Sequence, residues 1–104
     1  MRDGERRRQI RLMPDYGASF PLWSDRGNID PAVLGVSEPL AARLDAWNSL
    51  FQEHFHWDGG WRDPSARARF AQEAPRLLRD LQRELPDARI ELDDWTRPGT
   101  QRRG

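Results

Sequence analysis

Apolar residues recur along this chain with two different periods, and the periods mark out its main elements. Leu40, Leu44, Trp47, Phe51 and Phe55 are spaced by four, three, four and four, which lays one apolar stripe along a helix. Ser37 stands at its start as cap, with Glu38 and Pro39 in the first turn, and Asp58-Gly59-Gly60 should stop it near Trp57. Asp63 before Pro64 opens a second helix, whose stripe is Phe70, Ala74, Leu77, Leu78, Leu81 and Leu85. Pro75 lies inside that stripe and predicts a kink or break near residues 72–74, because proline removes a hydrogen bond and crowds the preceding turn. Alternation replaces the helical period at Gln9 to Met13 and at Ala88 to Asp93, predicting strands with Ile10, Leu12, Ile90 and Leu92 inward.

Between Pro14 and Val36 neither period persists. Pro14, Gly17, Pro21, Gly27, Pro31 and Gly35 interrupt a segment that still carries Tyr16, Phe20, Leu22, Trp23, Ile29, Val33 and Leu34. It is too punctuated for a long element and too apolar to float in water, so it should pack as an ordered loop. Residues 20–23 suit an edge strand, and Asp30 to Gly35 reads as one helical turn capped by Asp30 and closed by Gly35. The predicted fold is α+β, a two-layer sandwich in β-loop-α-α-β order, with two amphipathic helices on a sheet of two or three strands. Residues 9–95 form the expected single domain, between disordered basic tails at 1–8 and 96–104.

Composition sharpens this picture in three places. Five Trp and four Phe among 104 residues supply enough apolar surface to fold a chain in which a third of the residues are charged. There is no cysteine and no lysine, which excludes disulfides, thiolate metal sites and lysine chemistry; all 17 bases are arginine, as a GC-rich coding bias produces. The start of the chain has no apolar run resembling a signal peptide, and no stretch approaches the length of a membrane span, so the expected location is cytoplasmic. The zero net charge conceals an asymmetry: between Leu12 and Thr96 there are 15 acids and nine arginines, so an acidic body carries basic arms.

Candidate chemistry is sparse. His54 and His56 are two apart, so they point in different directions on a helix and do not make a metal pair. Asp15, Asp25 and Asp30 fall where turns and caps need them. No nucleophile elbow, phosphate loop or dinucleotide fingerprint is present, and no cofactor is expected. Arg69, Arg76, Arg79 and Arg83 on the second helix are interleaved with Glu73, Asp80 and Glu84, the pattern of a self-paired solvent face rather than a nucleic-acid surface.

What remains is aromatic. Trp57 and Trp61 flank Asp58-Gly59-Gly60, and Tyr16 and Trp23 lie beside Asp15 and Asp25. Asp15, Tyr16, Trp23, Asp25, Trp57, Asp58 and Trp61 are therefore the candidate partner-binding residues, suited to a cationic protein partner through cation–π and charge contacts. Small size, acidic body and abundant indoles lead to a non-enzymatic immunity protein or antitoxin that occupies a partner protein. Two alternatives stand beside it: a small hydrolase or metal-dependent enzyme using the loop aspartates and His56, and a homodimeric scaffold that buries its indoles.

The strings Ile10 to Gly17, Pro21-Leu22-Trp23, Gly27 to Pro31, Trp47-Asn48 and Phe55 to Asp58 resemble a group of small Streptomyces-like actinobacterial proteins. The resemblance spans roughly residues 10–92. It implies one domain and carries over no functional residue.

Overall fold

The computed structural model describes residues 8–96. The expected tails lie outside that range apart from their inner ends, Arg8 and Thr96. Arg8 is not tail but the first residue of a strand.

The strands are β1 (Arg8–Leu12), β2 (Leu22–Ser24), β3 (Gly27–Asn28), β4 (Phe55–His56), β5 (Gly60–Trp61) and β6 (Ala88–Leu92). The helices are α1 (Pro31–Leu34), α2 (Glu38–His54) and α3 (Pro64–Glu84). One mixed sheet runs in the order β3-β2-β1-β6, and β4 with β5 forms a separate hairpin. The α+β sandwich is as the residue pattern predicts, with a wider sheet. The extra strands come from the loop: β2 is interior, between β1 and β3, rather than an edge, because it pairs Leu22 with Leu12 on one side and Trp23 with Asn28 on the other.

β1 and β6 lie parallel, Ile10 opposite Ile90 and Leu12 opposite Leu92. Parallel neighbours need a long crossover, and α2 with α3 supplies it. The inward residues Ile10, Leu12, Leu22, Ala88 and Ile90 meet the helical stripes in one core. At its centre the Trp47 ring stacks on Phe70 of α3, centroids 4.3 Å apart and the planes nearly parallel, while its indole N–H donates to the Phe70 carbonyl.

Several local expectations are corrected. α2 ends at His54, three residues before Trp57, because Phe55 turns to extended backbone. Ser37 occupies the cap position without capping through its side chain; its N–H and hydroxyl donate instead to the Glu84 carboxylate at the far end of α3. α3 is unbroken through Pro75. That proline is exposed, as is Ala71, so the carbonyl it leaves without a donor faces solvent. Asp30 and Asp63 cap as expected, accepting from Ala32 and from Ser65 and Ala66 respectively.

The acids of α3 are not satisfied within their own helix alone. Arg79 and Arg83 do approach Asp80, but Arg43 of α2 bridges Glu73 at 3.0 Å and Asp80 at 2.8 Å, tying the two helices together. Hydrogen bonding from Arg43 holds the Asp80 carboxyl below its ordinary range. The unfolded chain therefore takes up that proton first as pH falls, and the stabilisation is lost on acidification. Arg43→Met is expected to lower the melting temperature at neutral pH, and its difference from wild type should shrink below about pH 4, where carboxylates protonate. Thermal melts of both proteins across pH check this; a difference that grows on acidification contradicts it.

Candidate partner-binding site

The β4–β5 hairpin forms because Phe55 leaves the helix and two glycines let the chain reverse. Gly59 N–H donates to the His56 carbonyl, and Gly60 adopts a left-handed φ of 75°, open to glycine and costly for a side chain. Phe55 pairs with Trp61 and His56 with Gly60. Side chains alternate along a strand, so Phe55 and Trp61 turn inward together. Their rings meet edge to face at 5.5 Å, Trp61 lies 5.0 Å from Phe70, and Phe55 lies 5.3 Å from Trp95. The reversal between them projects Trp57 outward, where 84% of it is exposed.

The 13–21 loop packs beside this hairpin. The Tyr16 hydroxyl donates to the Phe55 carbonyl at 2.7 Å while its ring lies 4.8 Å from Phe51. Partial burial, and then the Asp58 carboxylate, raise the Tyr16 hydroxyl above its ordinary pKa, so it remains a donor at neutral pH. Gln52 donates to the carbonyls of Asp15, Tyr16 and Ala18, and Asn48 to that of Ala18. Trp95, just beyond β6, donates to the Pro14 carbonyl at 2.8 Å. Loop, α2 and the end of β6 thus brace one rim.

The seven residues singled out by the sequence separate into three groups. Asp15, Tyr16, Trp57 and Asp58 converge on this rim. Trp61 is half-buried beneath it and supports the turn rather than presenting itself. Trp23 and Asp25 lie elsewhere, on the sheet face that the helices leave open, where they line a depression of about 300 Å³ with Arg11 and Glu91. The Trp23 indole is held there by its bond to the Met13 carbonyl.

Gln52 and Trp95 also belong to the rim, outside the seven singled out. Gln52 had a signal, since Asn48 and Gln52 are four apart beside the apolar stripe and so share a helix face. His54 ends α2 and His56 lies in β4, and among the described residues no group of three or more His, Cys, Asp or Glu could hold a metal ion. No helix among them is long and apolar enough to cross a membrane.

The family model described as Serratia CdiI immunity protein-like matches residues 8–92, from the first residue of β1 to the last of β6. The chain belongs to that family, in agreement with the immunity-protein reading of its sequence. No curated protein matches it.

Proposed function

We propose that this member of the Serratia CdiI immunity protein-like family neutralises a toxin by forming a stoichiometric complex with it in the cytoplasm. The family match, which covers the whole sheet and both long helices, carries the reading. The braced rim of Asp15, Tyr16, Trp57 and Asp58 is the contact region, and its carboxylates favour a partner of basic character. Trp61 acts there as a support, while Trp23 and Asp25, on the open sheet face, lie outside this contact region.

The test is co-expression with the neighbouring toxin gene of the native genome. The chain should restore growth and co-purify with the toxin in a one-to-one complex. Growth arrest undiminished by the chain, with no complex recovered, would refute the proposal.

A further inference from the structure

Of the five tryptophans, Trp47 is 1% exposed and Trp57 is 84% exposed. The indoles of Trp23, Trp47 and Trp95 each donate to a backbone carbonyl inside the fold. Trp57 is held out on a turn whose base is fixed by the Phe55–Trp61 pair and by the Tyr16 hydroxyl bond to Phe55. Its position is thus set by packed neighbours. A large ring so exposed gains most from a site that can surround it, because a flat contact leaves much of its surface wet.

The charged groups of the hairpin, and of the segments that lead into it and brace it, indicate what such a site must contain. Asp58 is next in the chain and exposed, Glu53 is exposed on the last turn of α2, and Asp15 and Asp93 are half-buried at the same end of the molecule. Arg62 is the one arginine among residues 45–63. Closing an apolar or acidic surface over these carboxylates would leave them desolvated and unpaired, at a cost no indole contact offsets. Phosphate backbones and anionic bilayers fail for the same reason. Tryptophan is also the aromatic side chain that attracts a cation most strongly over its face.

We infer that Trp57 anchors the toxin complex, the β4–β5 turn entering a concave, arginine- or lysine-lined cleft of the toxin where Asp58 and Glu53 pair with its cations. This rests on the immunity reading above and adds the part of the chain that acts and the kind of surface it fits. Neutralisation then proceeds by plugging a cleft.

Affinity measurements with the full chain and the purified toxin, over a range of salt, test it. Trp57→Ala is expected to weaken Kd by about 30-fold or more, the effect of losing a buried hot-spot indole. The double variant Asp58→Asn, Glu53→Gln should weaken binding about tenfold and flatten its salt dependence. Val33→Ala, at another exposed apolar position, should bind as wild type does. All these variants should melt as wild type does, since the side chains changed are exposed. On binding, the Trp57 emission should shift to the blue. Wild-type affinity in Trp57→Ala would overturn the anchor, and an unchanged salt dependence in the double variant would overturn the basic cleft. A wild-type chain that binds no toxin would instead sink the immunity reading itself.

Discussion

Trp47→Ala is expected to cost the domain about 3–5 kcal/mol, the range for removing a buried aromatic side chain with its cavity. Trp47 fills the centre of the core between α2 and α3, 1% exposed and stacked on Phe70. Its indole N–H also reaches the Phe70 carbonyl, in the turn of α3 where Pro75 withholds a backbone donor. A small domain has about 5–15 kcal/mol of stability in total, so this one change removes a large share. At roughly 4–8 °C per kcal/mol for a domain of this size, the melting temperature should fall by about 12–40 °C. Calorimetry checks it, with Trp57→Ala as the contrasting case. The two substitutions delete the same side chain, and only burial makes their consequences differ.

Gly60→Val carries the second large effect. At a φ of 75° a β-branched residue pays roughly 1–2 kcal/mol for the left-handed conformation, or the turn rearranges to escape it. The Cβ itself has room, since it meets only a Phe55 ring carbon, at 3.9 Å, so the backbone conformation sets this cost. The variant should melt several degrees lower yet keep the helical circular dichroism of α2 and α3. Toxin binding should fall by about tenfold or more, because a displaced turn loses part of the anchor's energy. Unchanged affinity would mean that the shape of the turn does not matter to the complex.

These two positions also mark what the residue pattern could and could not convey. The stripe through Trp47 was legible because five apolar residues at helical spacing admit one face and one burial. The hairpin was not, because strands of two residues have no period to read. Trp57 and Trp61, on either side of a Gly-Gly pair, look equivalent in the sequence; the reversal sends one into the core and the other into water. β3 was hidden in the punctuated loop for the same want of length, and β2, expected there as an edge strand over residues 20–23, gave no sign that it would be interior. The Arg43 bridge and the Ser37 bond to Glu84 join residues 30 to 47 positions apart, so only the packing of α2 on α3 brings them together. Pro75 misled in the other direction: its penalty is real in a buried turn and small on an exposed face.

Hydrogen exchange measured on the chain alone and in complex with its toxin bears most directly on where neutralisation occurs. Protection should rise across residues 55–61 and the adjoining 13–18 segment, while residues 23–28 at the far end of the sheet stay as they were. Protection gained at β2, β3 and α1, with the hairpin exchanging as freely as before, would contradict it.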